Sequence, residues 1–406
     1  MRSFHVMAKP IGSTCNLGCS YCYYLSKEKL LGQQRGKRMT PELLENYIRQ
    51  YIESQPGNVV TFSWQGGEPT LLGLEFFRQV VTLQSRYRQP NQQINNDLQT
   101  NGTLLDEKWC SFLKENEFLV GLSIDGPQAL HDKFRVGRNG KPTFTKVVNA
   151  ARLLQRTQVP FSTLTVVGRH NAHAAADVYQ FLVNELGSHS IQLIPCVEPR
   201  EFTTTAPQHW QAASLPYATD EPALAEFVSE YSVTPRQWGD FLCRFFDCWL
   251  KAGLGQVMVN LFESIVVQLL GYPALVCTSS ERCGSGVALE YDGSLYSCDH
   301  YVYPEYKLGN ISKHKLSDLV TSAKQEEFGR AKSGSLPDEC RACSYLKLCW
   351  GECPRNRFAL TASGEPGLNY LCPGIRKFLG HALPSLQKIA SIVARQAQKA
   401  QILSTP

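Results

Sequence analysis

Cys15-Asn16-Leu17-Gly18-Cys19-Ser20-Tyr21-Cys22 stands directly after a short apolar run, and its C-x3-C-x2-C spacing decides how the rest of the chain is read. Three thiolates leave the four-ligand shell of a structural metal unfilled. A 4Fe-4S cluster held by three of them keeps one iron open, and an open iron binds and reduces a further molecule. The plainer alternative is a zinc site whose fourth ligand comes from elsewhere in the chain.

Outward from that loop, short apolar runs alternate with amphipathic segments from Phe4 to about Cys196, the signature of repeated βα units. Strands are expected over residues 4–8, 59–64, 94–100, 119–124, 161–167 and 191–195. Between them Thr40 reads as a helix N-cap with Pro41 at the first helical position, and Leu44, Tyr47, Ile48, Tyr51 and Ile52 share one face. A second helix runs from Asp106 through Trp109, Phe112 and Leu113. Six such units form either a doubly wound open sheet or an incomplete barrel, and in both the ligands gather at the carboxyl ends of the strands. The polar loops all fall there. The cysteine triplet follows the first strand, Gln65-Gly66-Gly67-Glu68 the second and Gln99-Thr100-Asn101-Gly102 the third, and Ser123 and Asp125 end the fourth.

The 406 residues are enough for a large core and for two or three domains. With 41 Lys and Arg against 36 acidic residues and no long basic run, charge does not point to nucleic acid. The opening MRSFHVMAKPIG lacks the apolar stretch of a signal peptide, and no segment approaches the roughly 18 apolar residues that span a bilayer. Fifteen cysteines in a chain of this size fit reduced thiols with metal work to do, so a cytoplasmic protein without a membrane anchor is expected. Residues 198–217, rich in Pro, Thr and Ala, read as a linker or surface excursion, followed by a helix over 238–250. Residues 381–406, with Leu383, Leu386, Ile389, Ile392 and Val393, read as a terminal amphipathic helix.

From Cys277 onward cysteines dominate. Nine residues separate Cys283 from Gly293, and four more separate that glycine from Cys298; Cys340-x2-Cys343-x5-Cys349-x3-Cys353 and Cys372 follow. With Cys277 these make eight thiolates, enough for two fully ligated 4Fe-4S clusters. A zinc ribbon uses similar spacing, but the N-terminal triplet in the same chain favours iron and sulfide. Cys110, Cys196, Cys243 and Cys248 fall in apolar or helical contexts and read as core residues.

The cysteine loop, with Tyr21 just before its third cysteine, resembles that of the radical S-adenosylmethionine superfamily, and the later cysteines resemble the SPASM auxiliary-cluster domain. The resemblance implies a partial (β/α)6 TIM-like barrel over residues 1–235 and a cysteine-rich SPASM domain with its flanking helices over 236–406. It also implies three 4Fe-4S clusters and S-adenosylmethionine, whose sulfonium the open cluster cleaves to a 5′-deoxyadenosyl radical. Cys15, Cys19 and Cys22 would hold the first cluster, Cys277, Cys283, Cys298 and Cys353 the second, and Cys340, Cys343, Cys349 and Cys372 the third. Gly66, Gly67 and Glu68 resemble the motif that meets the methionyl amine, glycines letting the backbone come close. Tyr21, Ser123, Arg135 and Val197 are expected to complete the cofactor site, with Val197 at the adenine; an isolated Gly-Gly-Glu-Pro is otherwise an ordinary turn, and Arg135 a solvated loop charge.

Along nearly its whole length the chain is most similar to the anaerobic sulfatase-maturating enzymes, through Met7-Ala8-Lys9-Pro10, Cys22-Tyr23-Tyr24, Trp64 to Pro69, Leu98 to Leu104, Val120 to Pro127 and Tyr296 to His300. The resemblance implies oxidation of a Ser or Cys in a sulfatase C/S-x-P-x-R motif to Cα-formylglycine, with an unfolded or nascent sulfatase as substrate and a reducing protein such as flavodoxin or ferredoxin as partner. Taking a hydrogen atom from Cβ leaves a carbon radical, and the oxidation is completed by losing one proton and one electron. A carboxylate accepts the proton and a nearby cluster the electron. Asp299, next to Cys298, aligns with the family's base; Asp125 is the competitor, though its Asp-Gly-Pro reads first as a turn. Tyr24 is expected either to hold the substrate peptide or to pack over the barrel mouth. Competing readings are a SPASM-type enzyme that crosslinks another ribosomal peptide and a non-catalytic metal scaffold, which would leave the triplet and the Gly-Gly-Glu idle.

Overall fold

The computed structural model describes residues 3–32, 36–200, 206 and 215–404. The chain packs as two compact units that interleave along the sequence, one built mainly from Met1–Leu164 and Cys283–Ala331, the other mainly from Thr165–Pro199, Trp210–Arg282 and Lys332–Pro406. The division expected after residue 235 falls inside the second unit.

The strands are β1 His5–Lys9, β2 Val59–Trp64, β3 Gln93–Thr100, β4 Phe118–Ser123, β5 Phe161–Val167, β6 Ser190–Pro195, β7 Met258–Val259, β8 Gly286–Glu290, β9 Ser294–Tyr296 and β10 Lys307–Asn310. The first six lie within one residue of their expected bounds. In the first unit β1 to β5 are parallel neighbours in chain order, with Met7 against Ser63, Val60 against Ile94, Leu98 against Val120 and Leu122 against Thr163. Parallel neighbours need long crossovers, which the helices supply. Thr40 caps helix Pro41–Glu53 through the Leu43 amide, and the five apolar residues named from its sequence are all buried. Asp106 caps helix Glu107–Glu115 through the Trp109 amide. Tyr47, Tyr51, Phe62, Trp64 and Phe77 fill the space between these helices and the sheet, and the Trp64 indole donates to Asn96 Oδ1 at 2.9 Å, so its one polar atom is satisfied.

Strand β8 lies on the other edge of β1. It runs parallel to β1 with Lys9 opposite Glu290, and β9 and β10 follow antiparallel. The strands that lead to Cys298 and Asp299 are thereby stitched to the strand that leads into the N-terminal cysteines.

In the second unit β6 pairs parallel with β7. Helix Pro235–Ala252 opens with a reciprocal capping box between Thr234 and Gln237. It packs on the long helix Cys372–Ser404 through Phe246 and Phe378, whose rings are 6.1 Å apart, with Phe262 5.5 Å from Phe378. The terminal helix thus starts well before residue 381, because Pro373 falls in the first turn, where its missing amide hydrogen costs no helical bond. Most of the expected linker over 198–217 lies outside the described residues.

Candidate active site

The cysteine loop is clamped from two sides within the first unit. Gly18 N donates to Val136 O at 2.9 Å and Arg138 Nε to Cys15 O at 2.7 Å. On the other side the Asn101 amide donates to Asn16 Oδ1 at 2.9 Å, and Asn16 donates in turn to Thr103 Oγ1 at 2.8 Å. A loop held this way presents its thiols in a set arrangement. Burial pushes the Cys15 and Cys19 thiols up to about 12, so a metal that binds them displaces protons.

Gly66 and Gly67 are needed for a close approach, but to protein. A Cβ on Gly67 would lie 1.9 Å from Thr14 O, and Gly66 has a φ of 123° with Gly12 O 2.9 Å from its would-be Cβ. Gly67 N donates to Gly12 O at 2.7 Å and Glu68 N to Thr14 O at 2.9 Å, which locks this turn onto the residues leading into Cys15. The Glu68 carboxylate is fully engaged. It accepts from Thr70 N at 3.0 Å, Thr70 Oγ1 at 2.5 Å, Thr100 Oγ1 at 2.8 Å and Asn101 N at 2.7 Å, tying the end of β2 to the end of β3. What the motif leaves for a ligand is backbone. Ser123, at the end of β4, accepts from Gln99 Nε2 at 3.0 Å.

Asp125 and Asp299 are both buried carboxyls facing cations, in different settings. Asp125 has no exposed side-chain surface; the Tyr21 hydroxyl donates to it at 2.5 Å and Arg135 Nε lies 2.9 Å away. Desolvation is the largest single influence and opposes its charge, but Arg135, His131 and the Tyr21 hydroxyl together overcome it and hold the carboxyl below the usual range. Tyr21, Asp125 and Arg135 therefore form one closed group. Asp299 keeps 14% of its side chain exposed; Lys9 Nζ pairs with Oδ1, and the Tyr23 hydroxyl donates to Oδ2. Here too desolvation is the largest influence, and Lys9, His300 and Tyr23 together overcome it, so Asp299 is ionised. The second carboxyl beside Lys9, that of Glu290, is pushed up to about 8 by burial, and the neighbouring Asp292 and Asp299 add to the rise. One ammonium thus faces one carboxylate and one neutral acid. Tyr24 is buried, with its hydroxyl donating to Glu290 and Lys9 Nζ 4.3 Å from its ring centre.

Lys9, Tyr23 and Glu290 were not assigned roles from sequence. The available signal was a lysine closing an apolar strand, since a lysine is almost never buried unless paired.

The second unit holds the remaining candidates. Val197 is buried; its carbonyl accepts from Arg355 Nη1 at 3.1 Å, and Arg355 Nη2 pairs with Glu198 Oε1 at 2.6 Å. Cys340, Cys343, Cys349 and Cys372 line one pocket together with Leu346 and Arg376. Among the described residues no three His, Cys, Asp or Glu side chains are placed to share a single metal ion, and the four thiols ring a space in place of meeting at a point. A cubane, with its ligands spread over four irons, fits that arrangement better than one zinc. Cys277 and Cys353 also belong to this unit, Cys277 offering its carbonyl to buried Lys332 Nζ at 2.8 Å, whereas Cys283 and Cys298 belong to the first.

The chain matches the family profile of the Radical SAM superfamily over residues 10–182 and that of SPASM, an iron-sulfur cluster-binding domain, over 277–344. It is 42% identical to the serine-type anaerobic sulfatase-maturating enzyme of Bacteroides thetaiotaomicron, covering 99% of this chain and 95% of that one. It is 34% identical to the cysteine-type enzyme of Clostridium perfringens, over 96% and 99% of the two chains. The solved structure described as native anSMEcpe with bound AdoMet and Cp18Cys peptide superposes with a TM-score of 0.81 at 33% identity, covering 96% of this chain and 99% of that one. The fold is accordingly the α/β fold of the radical SAM type with a SPASM domain. No helix among the described residues is long and apolar enough to cross a membrane.

Proposed function

We propose that this chain, which belongs to the anaerobic sulfatase-maturating enzymes of the radical SAM superfamily, makes formylglycine with Asp299 as the base. It is a radical S-adenosylmethionine oxidoreductase that converts a Ser or Cys of a sulfatase to Cα-formylglycine, using a 4Fe-4S cluster and the auxiliary clusters of its SPASM domain. When bound, the clusters and S-adenosylmethionine supply the hydrogen-atom abstraction at Cβ and take up one electron. Cys15, Cys19 and Cys22 would hold the first cluster; Cys277, Cys283, Cys298 and Cys353 one auxiliary cluster; and Cys340, Cys343, Cys349 and Cys372 the other. By the same resemblance Gly66, Gly67 and Glu68, with Tyr21, Ser123, Arg135 and Val197, would meet the S-adenosylmethionine.

One observation carries the assignment of the base. Asp299 is the buried carboxylate that retains an exposed portion, while Asp125 is sealed between Tyr21 and Arg135. Lys9 pairs with the buried Oδ1 and Tyr23 donates to Oδ2, and Oδ2 keeps lone-pair capacity for the substrate's O–H or S–H. The proton leaves the substrate oxygen or sulfur for Asp299 as the carbon radical gives up its electron. Serine then becomes the aldehyde directly, and cysteine a thioaldehyde that water converts with release of hydrogen sulfide. The sulfatase is taken as an unfolded or nascent polypeptide, a reducing protein such as flavodoxin or ferredoxin supplies electrons, and the use of so many cysteines as cluster ligands supports a cytoplasmic enzyme.

The test is an anaerobic assay of the cluster-loaded protein with S-adenosylmethionine, a strong reductant and two sulfatase peptides, one with Ser and one with Cys, read by mass spectrometry. Loss of two hydrogens from the Ser peptide, or loss of two hydrogens together with exchange of sulfur for oxygen in the Cys peptide, is the expected result. Asp299→Asn should keep 5′-deoxyadenosine formation and lose aldehyde, by about 10²-fold or more for a general base. Full aldehyde yield from that variant removes Asp299 from the chemistry, and unchanged peptides with accumulating 5′-deoxyadenosine would transfer the site to another ribosomal peptide.

A further inference from the structure

We infer that Lys9 is the positioning residue of this reaction, fixing the Asp299 carboxylate so that hydrogen abstraction is followed by proton removal; the inference rests on Asp299 being the base. Lys9 is the last residue of β1 and stands in register with Glu290, the last of β8. Its side chain is 3% exposed, and burying an ammonium is costly unless it is paired. The pairing found here is to Asp299 Oδ1, while Tyr23 holds Oδ2. With both oxygens anchored from different elements, the plane of the carboxylate is set. Lys9 is itself held from behind, its Nζ 4.3 Å from the centre of the Tyr24 ring, and Tyr24 is locked by its hydroxyl on Glu290. The chain of contacts runs from the strand that enters the cysteine loop to the residue after Cys298.

An ammonium has no lone pair and cannot accept the proton Asp299 collects. Lys9 therefore acts by geometry and charge. Without Lys9 the carboxylate keeps the Tyr23 anchor, and a loosely held base gives the carbon radical time to take one electron from the assay's reductant and one proton from water, which returns the unoxidised residue.

The experiment measures formylglycine formed per 5′-deoxyadenosine in the cluster-loaded enzyme for Lys9→Met, Lys9→Arg and Asp299→Asn. Lys9→Met should leave iron content and 5′-deoxyadenosine formation within about twofold, leave peptide KM within about threefold, and lower the product ratio by roughly tenfold or more. Lys9→Arg, which keeps the charge, should recover at least about half of the ratio. A purely structural role would lower both products together and would not be rescued by Arg. If Lys9→Met fails to load iron, Lys9→Gln is read instead, since it retains a donor without the charge. Wild-type coupling in the neutral variant alongside an uncoupled Asp299→Asn overturns the role of Lys9. Wild-type coupling in Asp299→Asn itself overturns the assignment of the base.

Discussion

Two carboxylates near the carboxyl edge of the sheet have different duties because of what surrounds them. Asp125 is enclosed by Arg135 and Tyr21, and removing its charge strands a buried guanidinium. Breaking such a pair costs about 3–5 kcal/mol. Asp125→Asn should therefore lower the thermal midpoint and loosen the segment that clamps Cys15 and Gly18, reducing iron retention and both products in parallel. Asp299→Asn should instead separate the two products, because its carboxylate is partly open and serves the substrate. Comparing the two variants by calorimetry and product ratio distinguishes scaffold from base. Gly67→Ala belongs at this scale as well. The added methyl group would lie 1.9 Å from Thr14 O, a backbone atom that cannot swing aside, so the residues entering Cys15 must shift. The expected readout is iron content lower by about four atoms, one cubane; full iron retention would show that the turn tolerates the displacement.

At the level of elements, the pairing of β1 with β8 generates the site and also a pH dependence. Glu290 has an ordinary value of 4.5 and is pushed up to about 8 in the folded chain by burial. Between those values the unfolded chain has lost a proton that the folded chain keeps, so stability falls as pH rises through this window, by up to about 1.4 kcal/mol per unit. Thermal midpoints of the cluster-loaded protein between pH 6 and 8 should fall more steeply in the wild type than in Glu290→Gln; equal slopes would mean Glu290 is already ionised. This arrangement also marks where sequence reading stops. The six βα strands and the caps at Thr40 and Asp106 were legible because their signals are local, in alternation, capping and apolar spacing. The C-x3-C-x2-C and C-x2-C runs stand out because their spacing is a local feature as well. The β1–β8 ladder joins segments far apart in the chain, and nothing in Gly286–Glu290 names its neighbour. Lys9 and Tyr23 consequently passed as unassigned residues of similar stretches, and nothing in the sequence shows that Thr70, Thr100 and Asn101 occupy the Glu68 carboxylate.

At the scale of the whole molecule, sequence order and compact units differ, since the segment carrying Cys283 and Cys298 folds with the N-terminal residues while Cys340 to Cys372 fold with Thr165–Pro199 and Trp210–Arg282. The second unit therefore offers a metal site that is testable separately from the base. Its four thiols line one cavity, and burial pushes Cys349 and Cys372 up to about 12. Such thiols are neutral at pH 7 without metal, and losing the metal leaves a cavity whose lining must collapse or fill with water. Cys349→Ala removes one ligand at the C-terminus of helix Leu346–Cys349 without touching the N-terminal loop. The expected outcome is a loss of about four irons with unchanged zinc, retention of S-adenosylmethionine cleavage by the first cluster, and a fall in formylglycine per 5′-deoxyadenosine. Elemental analysis together with product quantification decides this. Loss of a single zinc in place of iron would make this cavity a ribbon-type structural site, and loss of cleavage itself would mean that the first cluster depends on the second unit for its integrity.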